Sequence, residues 1–174
     1  MNAIATAVSN PTPVLDFRTM LKLDDDDTLD GYKLCLGGFI HVRLEEIEKA
    51  YLAADAAGLH AATLVLFNYG SKQVGVVTGR NLSVMSSFGS PSRCPVEIHS
   101  SRGYFEYSVN DASPLTVPAH VIGLTKAAEL VEGDITAVGV KKDDEGYTYA
   151  TVVIDGNEYS MRDFAELELV PTLH

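Results

Sequence analysis

The chain has no tryptophan and only two cysteines, Cys35 and Cys94, among its 174 residues. Two cysteines outside a CxxC pair do not make a disulfide framework, so we expect reduced thiols. The 14 glycines and 7 prolines are too few for a collagen-like or low-complexity chain, and a 46% share of hydrophobic residues excludes a wholly disordered one. These counts predict a globular protein whose core is large enough to fold without a disulfide or a metal ion.

Long apolar runs are missing as well. The longest uncharged stretch covers residues 56–71 and is interrupted by His60, Asn68 and Gly70, whereas a membrane-spanning helix needs roughly 20 mostly apolar residues. The N-terminal segment has neither a basic region nor a sustained apolar region, so it does not resemble a secretory signal. We therefore expect a soluble, cytoplasmic protein that contacts no membrane.

Basic residues are scarce relative to acidic ones. The chain has 13 Lys and Arg against 24 Asp and Glu, which gives a formal net charge of −11. The excess lies at both ends: residues 1–31 contain six acids and two bases, and residues 132–174 contain ten acids and three bases. Such a charge disfavours direct nucleic-acid binding, which depends on Lys and Arg displacing counterions from phosphates. It favours a partner protein with a basic surface.

The common catalytic and cofactor-binding motifs are absent. The glycine-containing segments 70–75 and 75–80 match neither phosphate-loop consensus, and the five histidines form no HxxxH or Cys/His cluster. Cys94 and His99 on one extended strand would lie about 17 Å apart, too far for a thiolate–imidazole pair. The sequence therefore predicts no catalytic residue, no cofactor and no metal ion.

The apolar pattern predicts an α+β fold in three parts. Residues 1–31 are expected to form an N-terminal arm and an acidic loop. Residues 32–133 are expected to form a mixed α/β body with two main helices. Residues 134–174 are expected to form a small antiparallel β-module, either an SH3-like barrel or a curled sheet, and whether it packs on the body as one domain stays open.

The two helices are predicted from apolar residues spaced three and four apart. The first helix has its stripe at Leu44, Ile47, Tyr51 and Ala54 and ends at Gly58. The second begins at Pro118 and ends at Gly133, and its stripe consists of Val121, Leu124, Ala128 and Val131. Within the body, strands are expected at residues 61–68 and 73–78, with a hairpin of 96–99 and 104–109.

The C-terminal module is predicted from four or five short strands in the last part of the chain. Residues 147–154 are rich in β-branched and aromatic side chains. Asp155 and Gly156 follow directly and are a strong signal for a hairpin turn. Residues 166–170 alternate between acidic and apolar side chains, which indicates a further strand.

Two charged surfaces are the candidate interaction sites. The acidic surface consists of Asp24, Asp25, Asp26, Asp27, Asp30, Asp143, Asp144 and Glu145. Counted from Asp26, the first acids match the start of a calcium-binding loop, but Gly37 stands where that loop needs a glutamate. The basic patch consists of Lys72, Arg80, Arg93 and Arg102. It is interpreted as a contact for acidic residues of the same chain or of a second copy, with a phosphate as the alternative.

Three functions remain open on this basis. The first is a non-catalytic acidic interaction module, an inhibitor of the anti-defence type that presents carboxylates to a basic, nucleic-acid-binding surface of another protein. The second is a structural or assembly subunit of a larger complex such as a virus particle, with homo-oligomers as one form. The third is a small-molecule enzyme whose active site is assembled from distant parts of the chain.

Overall fold

The computed structural model describes residues 33–36, 40–79, 96–107 and 111–171. In these ranges the chain forms twelve β-strands, one α-helix and one short 3-10 helix. The predicted N-terminal arm and acidic loop, residues 1–31, lie outside the described residues. No helix in the described ranges has the length and apolar character needed to span a bilayer.

The first described segment is a two-stranded antiparallel sheet followed by the helix. Strands β1 (Lys33–Leu36) and β2 (Ile40–Arg43) pair with each other, and helix α1 (Leu44–Ala56) begins directly after β2. Glu45 and Glu46 occupy the first turn, where the helix dipole favours acidic side chains. Gly58, with a φ of 75°, ends the helical segment because glycine adopts this left-handed conformation without steric cost. The first predicted helix is therefore present.

The next five strands form an antiparallel sheet, called sheet I here. Its strands in spatial order are β6 (Gly103–Tyr107), β5 (Val96–Ser100), β4 (Ser71–Gly79), β3 (Thr63–Tyr69) and β7 (Ala112–Pro114). β3 and β4 are joined by a tight turn at Gly70, which has a φ of 70°.

The C-terminal part forms a second antiparallel sheet, sheet II. Its spatial order is β11 (Asn157–Ser160), β10 (Thr148–Ile154), β9 (Leu130–Lys142), β8 (Ala119–Thr125) and β12 (Phe164–Leu169). The 3-10 helix (Met161–Asp163) lies between β11 and β12. Although β12 is last in the chain, it pairs with β8 at the opposite edge from β11.

Sheet I lies in the middle of the molecule and has apolar side chains on both faces. On one face, Leu64, Val74 and Val76 join a core with buried residues of sheet II. On the other face, Val65, Phe67, Val77, Val96, Ile98 and Ala112 form a second core with Ala54 and Leu59. This arrangement explains the continuous apolar sequence of β3, because a strand covered on both faces needs no polar alternation.

The predicted fold class is wrong. The described residues are mostly β: they form two five-stranded antiparallel sheets, one two-stranded sheet and one α-helix, and not a mixed α/β body with two main helices and a small β-module. The segment predicted as the second helix is the β8–β9 hairpin. Val121 is fully buried, whereas Leu124 is 40% exposed on the opposite face of β8. An apolar spacing of three, which resembled a helical stripe, therefore joins residues on two different faces of one strand.

The antiparallel sheet at the C-terminus is also larger than expected. This sheet begins at Ala119 with β8. The predicted boundary between residues 133 and 134 falls inside β9. Strand pairing decides this extent, since β8 satisfies its backbone groups with β9 on one side and β12 on the other. The additional strand gives sheet II an outer face that the sequence interpretation did not contain.

Candidate interaction face

Strict alternation along β8 and β9 separates buried side chains from exposed ones. In β8, Ala119, Val121, Gly123 and Thr125 are buried, and the side chains between them are exposed. The same alternation continues in the first part of β9, where Val131, Gly133 and Ile135 are buried. Because successive side chains of a strand point to opposite faces, the exposed residues share the face of sheet II that points away from sheet I.

Strand register places residues from three strands side by side on this face. Ile122 of β8 pairs with Glu168 of β12 and with Glu132 of β9. Leu124 pairs in the same way with Glu166 and Leu130. Directly opposed residues of antiparallel strands have Cβ atoms about 5 Å apart and lie on the same face. The outer face of sheet II is thus formed by His120, Ile122, Leu124, Leu130, Glu132, Asp134, Glu166 and Glu168.

The outer face combines an apolar strip with carboxylates. Ile122, Leu124 and Leu130 are 36%, 40% and 66% exposed. The four acidic residues of the face are exposed as well and lie on both sides of this strip. None of its eight residues is Lys or Arg. Large exposed apolar side chains beside several acidic ones are typical of a surface that binds another protein.

His120 is the one basic group of this face. Its Nδ1 lies 2.7 Å from Oδ1 of Asp134, and its Nε2 lies 3.4 Å from Oε1 of Glu132. The hydrogen bond to Asp134 and then the one to Glu132 raise the pKa of His120 above its ordinary value of 6.5. Both ring nitrogens donate only when the imidazole is protonated, so the two carboxylates stabilise the charged form.

Asp155, in the turn between β10 and β11, holds the backbone of Asp134 in place through two hydrogen bonds. The backbone N–H of Asp134 donates to Oδ1 of Asp155 over 3.2 Å, and the N–H of Asp155 donates to the Asp134 carbonyl over 3.3 Å. A Cβ on Gly133 would lie only 2.2 Å from Oδ2 of Asp155. Glycine at position 133 therefore leaves the space that the Asp155 carboxylate occupies.

The acids predicted as an interaction surface are distributed differently. Asp24, Asp25, Asp26, Asp27 and Asp30 lie outside the described residues. Asp143, Asp144 and Glu145 lie in the β9–β10 turn, where the latter two are exposed. Oδ1 of Asp143 accepts from the N–H of Glu145 (3.1 Å) and of Tyr147 (2.8 Å), and Oδ2 accepts from Arg162 (3.5 Å). Its carboxylate thus stabilises the turn itself.

The basic patch is described in part. Arg80 and Arg93 lie outside the described residues. Lys72 lies near the start of β4, and Arg102 lies in the β5–β6 turn, and both are exposed. Gly75 of β4 pairs with Ser100 of β5, so the register brings Lys72 and Arg102 to the same end of sheet I.

Sequence reasoning missed the residues of the outer face. It assigned Leu124 to a helix and gave no role to Glu132, Asp134, Glu166 or Glu168. A signal was present, because side chains at every second position are polar from position 132 to 136 and again from 166 to 168. The sequence did not show that these two segments, which form parts of β9 and β12, both pair with β8.

Comparisons with known proteins add no family to this description. The chain matches no protein-family model, and no curated protein matches it significantly. Among the residues that the structure describes, no group of three or more His, Cys, Asp or Glu side chains is arranged to bind a metal ion.

Proposed function

We propose that this protein is a non-catalytic interaction module that binds a basic partner protein through the outer face of sheet II. The observation that carries the proposal is the apolar strip of Ile122, Leu124 and Leu130 with carboxylates on both sides. The acidic groups attract and orient a cationic partner. The apolar strip supplies affinity when the partner removes it from water.

The charge of the face indicates the chemistry of the partner. A matching surface presents Lys or Arg on both sides of a row of apolar side chains. Proteins that bind nucleic acid have surfaces rich in Lys and Arg, because these residues neutralise phosphates. Carboxylates that occupy a surface of this kind compete with the nucleic acid for the same cations. The proposed consequence of binding is inhibition of a nucleic-acid-handling protein.

A charge-matched pair of variants tests the proposal. The double variant Glu166→Gln/Glu168→Gln removes two charges from the outer face, and Asp144→Asn/Glu145→Gln removes two charges from the β9–β10 turn. We expect the first variant, but not the second, to lose a basic partner that the wild type captures from native lysate after nuclease treatment. Capture is measured at about 50 mM and about 500 mM salt, because screening weakens exposed ion pairs.

The captured protein then decides the inhibitory part of the proposal. The purified partner is assayed for nucleic-acid binding with increasing amounts of this protein. We expect the wild type to compete with the nucleic acid for the partner, and Glu166→Gln/Glu168→Gln to compete about tenfold more weakly. The reason is that two exposed charges at an interface contribute roughly 1–2 kcal/mol to the free energy of binding. Equal capture by both double variants, or a partner retained unchanged at high salt, would contradict the proposal.

The alternative function is that of an assembly subunit, which binds further copies of itself. The observation that favours it is the exposure of Leu130, whose side chain is 66% exposed. A two-fold contact through the outer face would, however, bring the carboxylates of two copies together. Like charges at one interface oppose association, so a cationic partner fits the face better than a second copy. A stable oligomer that dissociates in Leu130→Glu, measured by sedimentation, would instead support assembly.

A further inference from the structure

The two sheets enclose a cavity at the seam between the β5–β6 turn and sheet II. Its volume is about 180 Å³. His99, Ser100 and Ser101 line it from sheet I, and Lys126 and Arg162 line it from sheet II. The site belongs to a different part of the molecule from the outer face, and its charge has the opposite sign.

The charged groups of this seam cavity are cationic. No Asp or Glu is among the described residues that line it, and Lys126 and Arg162 are both exposed there. Glu129 and Asp163 line a neighbouring cavity that shares Lys126 and Arg162. In the described part of the chain, no carboxylate lies within ion-pair distance of the Lys126 ammonium.

Ser101 supplies an unused hydrogen-bonding group at the same place. Ser101 is only 9% exposed, and its Oγ is buried without a hydrogen-bond partner among the described residues. A buried hydroxyl without a partner costs roughly 1–3 kcal/mol, so most such groups in folded proteins have one. The Oγ is closed to solvent in this structure, so the Ser101 side chain must rotate toward the cavity before its hydroxyl can donate to a ligand oxygen.

Arg162 makes three contacts outside the cavity. Its Nη2 donates to the Thr148 carbonyl over 3.2 Å, and its guanidinium carbon lies 5.4 Å from the centre of the Tyr149 ring. Its Nη1 donates to Oδ2 of Asp143 over 3.5 Å. These contacts use part of the five N–H donors of an arginine and leave others for a ligand. The planar guanidinium matches the geometry of an oxyanion, which it can bind through two parallel hydrogen bonds.

We propose that the seam cavity binds a phosphate group, carried by inorganic phosphate or by a small phosphomonoester. Lys126 and Arg162 neutralise its charge, and the Ser101 hydroxyl donates to one of its oxygens. The cavity volume of about 180 Å³ suits a ligand smaller than the drug-sized molecules that occupy pockets of roughly 300–1,000 Å³. This site does not depend on the proposed function of the outer face.

A titration of the full chain followed by amide NMR tests the proposal. Inorganic phosphate and glycerol phosphate are added separately, with ionic strength held constant by sodium chloride. We expect saturable shift changes at the amides of Ser101 and Lys126. Tighter binding of glycerol phosphate assigns the site to a phosphorylated organic ligand, and tighter binding of inorganic phosphate assigns it to the free anion.

Three variants decide whether the cavity is responsible. We expect Lys126→Gln to weaken phosphate binding about tenfold, the usual loss for one charge-assisted contact. Ser101→Ala should weaken binding severalfold while leaving the protein folded, because it removes an unpartnered hydroxyl. Lys142→Gln, with the same charge change outside the cavity, should bind as the wild type does. Shifts that do not saturate, or equal weakening in Lys142→Gln and Lys126→Gln, would overturn the proposal.

Discussion

At the scale of single residues, the protonation of His120 changes the charge of the outer face of sheet II. Asp134 and Glu132 raise the pKa of His120 in the folded protein, whereas the unfolded chain keeps the ordinary value of 6.5. His120 therefore binds its proton more tightly in the folded protein than in the unfolded chain, so protonation of His120 stabilises the folded state. The resulting stabilisation is fully present below the unfolded pKa and is lost as the pH rises through the folded pKa.

This linkage predicts the behaviour of His120→Gln. The difference in the free energy of unfolding between wild type and variant should be constant below the unfolded pKa. It should then shrink as the pH rises and level off above the folded pKa. Urea unfolding at intervals between about pH 5 and about pH 9 measures both curves. Parallel curves over this range would show that the imidazole does not bind the two carboxylates in solution.

Gly133 gives a second prediction at the residue scale. Gly133→Ala should destabilise the protein by about 1 kcal/mol, because the new Cβ displaces the exposed Asp155 carboxylate and breaks its hydrogen bond with the Asp134 N–H. Gly79→Ala is the matched control, since a Cβ at position 79 meets no atom within 4 Å. Thermal or urea unfolding compares the two. Equal stability of both variants would mean that Asp155 does not occupy this space.

At the scale of the element, the β8–β9 hairpin shows how one apolar spacing fits two structures. In a helix, Val121 and Leu124 would be buried together. In strand β8, residues three apart lie on opposite faces, and Val121 alone is fully buried. The turn between the strands contains Ala128 at a φ of 63°, a conformation that no residue adopts within an α-helix.

Two truncations distinguish buried from exposed positions of this hairpin. Val121→Ala should lower the free energy of unfolding by about 2 kcal/mol, because a fully buried side chain is shortened. Leu130→Ala removes more atoms from a side chain that is 66% exposed, and its cost should stay near 0.5 kcal/mol. Urea unfolding of both variants measures these values. A larger loss for Leu130→Ala would contradict the strand register.

At the scale of the whole molecule, the layered arrangement separates the two candidate sites. One face of sheet II packs on Val74 and Val76 of sheet I, and the opposite face is the outer face. The seam cavity lies where the β5–β6 turn meets Lys126 and Arg162. The outer face and the seam cavity thus lie in different parts of the described structure. Variants of one site are expected to leave the other unchanged, because sites without shared contacts act independently.

Several local elements could be predicted from the sequence. The stripe that ends at Ala54, with Gly58 behind it, predicted α1 because a helix depends mainly on neighbours three and four residues apart. The hairpin across residues 100–103 was predicted and is present as β5 and β6. Asp155 and Gly156 form the predicted turn between β10 and β11. Each of these elements is determined by residues close together in the chain.

The sequence by itself determined the acidic charge, the missing catalytic motifs and these local elements. Only the tertiary structure decided that residues 118–133 form strands, since their apolar spacing fits both a helix and a sheet. It also placed Glu166 and Glu168 beside Leu124 and Ile122, because β12 returns to pair with β8. The seam cavity likewise joins Ser101 to Arg162. Both sites consist of residues distant in sequence, and long-range strand pairing and core packing, not local pattern, bring them together.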